Sequence, residues 1–349
     1  MNKVGVGFIG AGMIGQLAHI RSFTSLSDCE AAGLAELRPI LGREAASLFK
    51  IPKVYPDHQQ LLCDPHIDAV VVVTRRQATG AIVLDALRAG KHVLSEKPMA
   101  HSINQANRLV IAAKENNKIY SIGYMKRHDI GVARAHALLS QYRQSGELGK
   151  IIFMRCYCFG GDIGVSDKGY TMTSEARPDG LDVWSLAPNW LPKPLRNDYA
   201  QFLNVNIHML NLIRYFTGSM PRVSSVDLSH DNGRLVTLDF DTYSAVIEFG
   251  EVAYSEWHEG IEIFFEKGSL HVCLPPPLAE GHCAKVTISD RSGTKTIINN
   301  KHSEWAFLRQ AKSFLDDISE KKVPICSGED SLLDIKLAEE IWQMYVDKR

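Results

Sequence analysis

The hexapeptide Gly10-Ala11-Gly12-Met13-Ile14-Gly15 constrains this chain more than any other feature. It follows the apolar run Val4–Ile9 and opens an amphipathic stretch, Met13–Phe23. Strand, glycine turn and helix in that order form the phosphate-binding corner of a dinucleotide fold. Each glycine then has a task. Gly10 permits the tight turn, Gly12 lets the main chain approach a pyrophosphate, and Gly15 lets the helix pack closely on the strand. The helix N-terminus at Met13 and Ile14 supplies N–H donors and a partial positive charge for the anion.

A second strand, Ala31–Glu36, ends in a carboxylate about 20 residues past the glycines, the spacing at which an acidic side chain bonds the adenosine ribose. Glu36 favours NAD over NADP because it repels a 2′-phosphate. Arg38, two residues on, is the group that would accept one. Strand-like runs at Ala69–Thr74, His92–Ser95 and Ile119–Gly123 alternate with helical patterns at Ile40–Phe49, Thr79–Ala89 and Ile103–Asn116. Regular alternation predicts a parallel, doubly wound α/β sheet, with Thr74 closing a strand at its cofactor edge.

Past Gly123 the pattern changes. A helix over Val132–Tyr142 leads into strands at Ile151–Cys158, Val223–Leu228, Arg234–Phe240, Ser244–Phe249, Val252–Trp257, Ile261–Glu266 and Ser269–Val272. Consecutive strands joined by short turns predict a large, open, mainly antiparallel sheet. One long helix, Asp198–Phe216, interrupts them, and helices at Glu304–Ile318 and Asp330–Val346 close the chain. The predicted organisation is a Rossmann domain over 1–123 and an α+β substrate and oligomerisation domain over 124–349. The last helices are free to pack back on the first domain. Phe159–Asn197 has neither period and carries Trp184 and Trp190, so it reads as an ordered loop over a pocket.

Composition excludes several classes. Lys plus Arg number 39 and Asp plus Glu 40, a balance that argues against nucleic acid or an anionic membrane as partner. The longest apolar run, Ala69–Val73, is far short of a bilayer span. We read the chain as starting at Met1 and as cytoplasmic. The seven cysteines include no C-x-x-C pair and read as reduced core thiols. No His/Cys cluster has metal spacing.

The segment Ala89-Gly90-Lys91-His92-Val93-Leu94-Ser95-Glu96-Lys97-Pro98 resembles the A-G-K-H-V-x-x-E-K-P motif of the Gfo/Idh/MocA oxidoreductases. Gly123-Tyr124-Met125-Lys126-Arg127, Gly146–Ile151 and a helix carrying His208 extend the resemblance over most of the chain. It implies a Rossmann domain followed by a sheet domain through which subunits form homodimers or homotetramers. It implies hydride transfer between a nicotinamide and a secondary hydroxyl or ketone of a sugar, glycoside or cyclitol. Lys97 would then lie beside the nicotinamide and the reacting hydroxyl, positioned by Glu96 and Pro98.

Asn204, His208 and Asn211 recur at i, i+4 and i+7, one face of a mostly apolar helix. Neutral His208 suits removal of a hydroxyl proton, and Lys97 suits stabilising the alkoxide. Many members carry Asp where this chain has Asn204. An amide still accepts from an imidazole N–H but offsets no positive charge. Tyr124, Arg127, Trp184, Asn204 and Asn211 are the further candidates for binding substrate. Thr74-Arg75-Arg76 departs from the Thr-Pro of many members; the paired arginines read as a solvated loop, with contact to an anionic substrate or a cofactor phosphate as the alternative. Alternative functions are a glycoside 3-oxidoreductase that recycles bound NAD, an enzyme using NAD transiently, and a non-catalytic dinucleotide-binding regulator.

Overall fold

Val4–Ile9 (β1) is buried along its whole length, as a strand covered on both faces must be. It lies between β2 (Cys29–Ala35) and β4 (Ala69–Val72), both parallel to it. β3 (Val54–Tyr55), β5 (His92–Ser95) and β6 (Tyr120–Ile122) complete a six-stranded parallel sheet of order β3-β2-β1-β4-β5-β6. The order reverses between β1 and β4, the switch point at which open α/β sheets bind ligands. The computed structural model describes residues 3–165, 169–178, 180–230, 232–254, 256–299 and 303–348.

The chain divides into two compact units, one of Met1–Tyr124, Asp167–Asn204 and Phe307–Ile335, the other of Met125–Ser166, Val205–Ala306 and Lys336–Arg349. In the first unit, Phe8, Leu34, Val71 and Leu94 form a core with Ala311, Phe314 and Leu315 of the helix Ala306–Glu320. The helix Gly328–Asp347 starts where Ser327 Oγ accepts from the Asp330 N–H at 3.2 Å, a side-chain cap.

The second unit is built on eight strands: β7 (Ile151–Gly160), β8 (Arg222–Asp227), β9 (Arg234–Asp239), β10 (Ser244–Glu251), β11 (His258–Phe265), β12 (Gly268–Leu274), β13 (Lys285–Asp290) and β14 (Gly293–Ile298). Their order is β14-β13-β12-β11-β7-β10-β9-β8. Every pair is antiparallel except β7 with β10. Met154, Cys156 and Cys158 alternate on the buried face of β7, and Met209 of the helix Ile207–Thr217 meets Cys156 there, sulfur to sulfur, at 3.4 Å. A doubly wound parallel sheet and a separate, mainly antiparallel sheet thus agree with the expected α/β architecture.

Four expectations need correction. Asp198–Phe216 is two helices, Arg196–Val205 and Ile207–Thr217, interrupted at Asn206. Asn206 instead accepts, through its main-chain oxygen, from the Met209 and Leu210 N–H groups. Val252–Trp257 is not a strand: β10 runs on to Glu251 and β11 begins at His258, so its described residues form the connection. β3, β13 and β14 were unforeseen. β13 carried a period-2 signal in Val286 and Ile288, whereas β14 is a largely exposed edge strand with no apolar alternation. All seven cysteines are free thiols, but Cys63 and Cys273 are exposed rather than in the core. No helix among the described residues is long and apolar enough to cross a membrane.

Candidate active site

The glycine turn behaves as its spacing requires. Gly10 has φ +97°, and a Cβ there would sit 2.3 Å from the Val73 carbonyl oxygen. A Cβ on Gly15 would sit 2.8 Å from the Gly10 oxygen. Nothing lies within 4 Å of the corresponding point on Gly12. Gly10 and Gly15 are therefore glycine because the protein is packed there. Gly12 faces open space, the arrangement needed for close approach of a phosphate. The Gln16 N–H bonds the Gly12 oxygen at 2.9 Å and starts the helical stretch, which winds as a π-helix over Gly15–Ile20.

This turn borders a cleft of about 650 Å³, within the range of small-molecule sites. Gly10, Gly12, Met13, Ile14, Gly15, Glu36, Arg38, Thr74, Glu96, Lys97 and Asn204 all line it. The sequence-derived cofactor residues are thus brought together in one place. Open space at Gly12, helix N–H groups and a buried carboxylate at the end of β2 fit a dinucleotide. Tyr124 and Trp184 are not part of the lining. Tyr124 is fully buried. Trp184 donates its main-chain N–H to Gln77, packs its ring on Gly80 and lies beneath the Arg108 guanidinium at 4.6 Å.

Glu36 is bonded on both oxygens. Oε2 accepts from the Ala11 N–H (2.8 Å) and Arg38 Nη2 (3.1 Å), and Oε1 from Arg38 Nε (2.8 Å) and N (3.2 Å). The carboxylate thereby ties the strand end to the glycine turn. Thr74 Oγ1 pairs with Thr79 Oγ1 at 3.0 Å. Arg75 is exposed and Arg76, half-buried, opens the helix Arg76–Arg88; both border the cleft, Arg75 bonding the Pro178 oxygen and Arg76 the Ala200 oxygen.

Lys97 extends Nζ to the main-chain oxygen of Asn204 at 2.6 Å. That carbonyl ends the helix Arg196–Val205, where orphan oxygens and the helix dipole favour a cation. Glu96 beside it accepts from the Lys97 N–H (3.1 Å) and from His19 Nε2 (2.7 Å). Burial alone would raise the Glu96 pKa. The His19 bond and the neighbouring Lys97 charge overcome it and hold the carboxyl below its ordinary value. No sequence motif points to His19. Its signal was position, since a polar side chain on the buried face of the first helix needs a partner.

The irregular segment contributes as well. Gln16, fully buried, donates to Ala11 O (2.7 Å) and Thr171 O (2.9 Å) and accepts from the Thr171 N–H (2.9 Å). Arg21 bonds Gly169 O at 3.0 Å. Arg177, Pro178, Leu181 and Leu186 line the cleft. None of Gln16, Thr171 and Arg177 was foreseen.

Arg127, His208 and Asn211 belong to the second unit. Arg127 is buried, donates to the main-chain oxygen of Asn211 at 3.0 Å and lies over the Tyr215 ring at 5.0 Å. His208 is half-buried in the first turn of Ile207–Thr217. Asn211 is buried on the same helix. Among the described residues no group of three or more His, Cys, Asp or Glu side chains is placed to hold a metal ion.

A parallel sheet with this turn and this cleft defines a nucleotide-binding protein of the Rossmann class. Residues 4–124 match the family model described as "Oxidoreductase family, NAD-binding Rossmann fold". That model is the one for Gfo/Idh/MocA oxidoreductases, and it is to this model that these residues are similar. The chain is 24% identical over 353 residues to the myo-inositol 2-dehydrogenase of Thermotoga maritima, covering 95% of this chain and 93% of that protein. A solved levoglucosan dehydrogenase, in complex with NADH and levoglucosan, shares the fold with a TM-score of 0.76 at 18% identity, over 100% of this chain and 98% of the other. A 3-ketoreductase from Actinomadura kijaniata, solved with TDP-benzene and NADP, gives 0.74 at 20% identity over 98% and 97%.

Proposed function

We propose that this oxidoreductase is an NAD-dependent dehydrogenase acting on a secondary hydroxyl of a cyclitol or sugar-like polyol. The observation that carries the reading is Lys97, held by a main-chain carbonyl in the same cleft as the open Gly12 turn and Glu36. The full-length resemblance to an inositol dehydrogenase supports the substrate class.

When bound, the nicotinamide supplies the hydride acceptor. The residues do the rest. Gly12 and the following helix N-terminus hold the pyrophosphate. Glu36 receives the adenosine ribose: each of its oxygens already accepts two bonds, so a ribose hydroxyl takes the place of one Arg38 N–H. A carboxylate there favours the cofactor without a 2′-phosphate. Lys97 donates to the reacting oxygen and stabilises charge as the proton leaves. Proton acceptance falls to His208, an assignment resting on the sequence. The test is the rise of reduced-nicotinamide absorbance with NAD, and separately NADP, against cyclitols, free sugars and glycosides.

A second reading, that the dinucleotide stays bound between turnovers, is favoured by the segment 169–178, which is tied to Gln16, Arg21 and Arg75 and lines the cleft through Arg177 and Pro178. Absorbance of the protein after exhaustive dialysis tests it. We also propose self-association through the eight-stranded sheet, supported by the exposed pair Phe153 and Phe264 on β7 and β11. Sedimentation velocity tests that.

A further inference from the structure

Glu36 lines the cleft at the strand end, and a second carboxylate is bonded to the helix that begins three residues on. The second is Glu175, from the irregular segment. It accepts from the Ile40 N–H (3.0 Å) through Oε1 and from the Leu41 N–H (2.9 Å) through Oε2. Both donors lie in the first turn of the helix Pro39–Phe49, which follows directly on Glu36 and Arg38. Thr173 Oγ1 donates to Glu175 Oε2 at 3.0 Å and accepts from the Glu175 N–H at 3.1 Å, fixing the side chain. Gly42, one residue past Leu41, lies against Glu36: a Cβ there would sit 3.3 Å from the Glu36 Cβ. The two carboxylates therefore flank one small region.

A phosphate monoester on the ribose would need cations and N–H donors at this point. Every donor of the first helical turn is already committed. Pro39 has no N–H, Ile40 and Leu41 bond Glu175, and the Gly42 N–H bonds the Arg38 oxygen at 2.9 Å. The Arg38 guanidinium has two nitrogens on Glu36. Desolvation pushes the Glu175 pKa up, but the Ile40, Leu41 and Thr173 bonds and the Arg38 charge outweigh it and keep the carboxylate ionised.

We propose that Glu175 is a second determinant of dinucleotide choice, excluding the 2′-phosphorylated form by occupying the N–H donors such a phosphate would need. Glu36 removes the cation, and Glu175 removes the donors and adds negative charge. The inference rests on the reading that Glu36 faces the adenosine ribose.

The test is titration calorimetry of the whole chain with NAD and with NADP, comparing wild type, Glu175→Ala, Glu175→Gln and Glu36→Ser. Glu175→Ala is expected to shift the affinity ratio toward NADP by about tenfold. Glu175→Gln, which keeps the size and removes the charge, is expected to shift it the same way by less. Equal loss of both affinities in the two Glu175 variants, with the ratio unchanged, would make Glu175 a loop anchor only and overturn the proposal. If Glu36→Ser relaxes the ratio while the Glu175 variants do not, the proposal alone fails. If none of the three moves it, the ribose reading fails as well.

Discussion

Lys97 Nζ donates a 2.6 Å hydrogen bond to the main-chain oxygen of Asn204, so a backbone atom holds the ammonium at this point. The bond also satisfies a carbonyl in the last turn of Arg196–Val205, where a cation gains from the helix dipole. Position 204 therefore meets Lys97 through an atom that every residue type possesses.

This arrangement predicts opposite outcomes for two substitutions. Lys97→Met should lower turnover about a hundredfold or more while NAD affinity stays close to wild type. Asn204→Ala keeps the carbonyl and should retain most of the turnover. Steady-state kinetics with calorimetric NAD titration separates them. Equal losses in both variants would place the essential contact in the Asn204 side chain.

The glycine turn gives a sharper contrast. Gly12→Ala meets no atom within 4 Å, so the thermal midpoint should hold while NAD affinity falls at least about tenfold. Gly10→Ala places a Cβ 2.3 Å from the Val73 oxygen at φ +97° and should destabilise the protein itself. Thermal unfolding and NAD titration on both variants check the pair.

His19→Leu withdraws a donor from Glu96, whose pKa that bond lowers. A carboxylate depressed in the folded state stabilises above its unfolded pKa and loses that contribution as pH falls. The variant should therefore lose about 1–3 kcal/mol at neutral pH, shrinking as pH falls through the carboxylate range. Urea unfolding across pH measures this.

Asp317 behaves in the opposite sense. Burial first, then the Asp316 charge, raises its pKa to about 6. The folded chain then binds more protons than the unfolded chain between about pH 4 and pH 6, so stability falls as pH rises through that window. Asp317→Asn should raise the unfolding temperature above about pH 6 and leave it unchanged below about pH 4. Calorimetric scans at the two ends decide it.

What the sequence revealed was local. The glycine spacing, Glu36 and Glu96-Lys97 lie within a few residues of a strand end, and that proximity fixes their placement. The fully buried β4 shows as a β-branched run. Features built from distant contacts were hidden. Glu175 reaches Ile40 and Leu41 across some 135 residues from a segment with no hydrophobic period. The interruption at Asn206 falls inside an uninterrupted apolar pattern, so the periodicity gave one helix where there are two. Trp184, a candidate for binding substrate by sequence, has its ring packed on Gly80 with Arg108 over it, contacts across a distance that no local pattern shows.

The most direct measurement of the central claim is reduced-nicotinamide absorbance on mixing the protein and NAD with a panel of cyclitols, sugars and glycosides. The account predicts reduction with at least one compound bearing a secondary hydroxyl, abolished in Lys97→Met. NAD binding demonstrated by calorimetry, with no reduction by any compound in either direction, would contradict it.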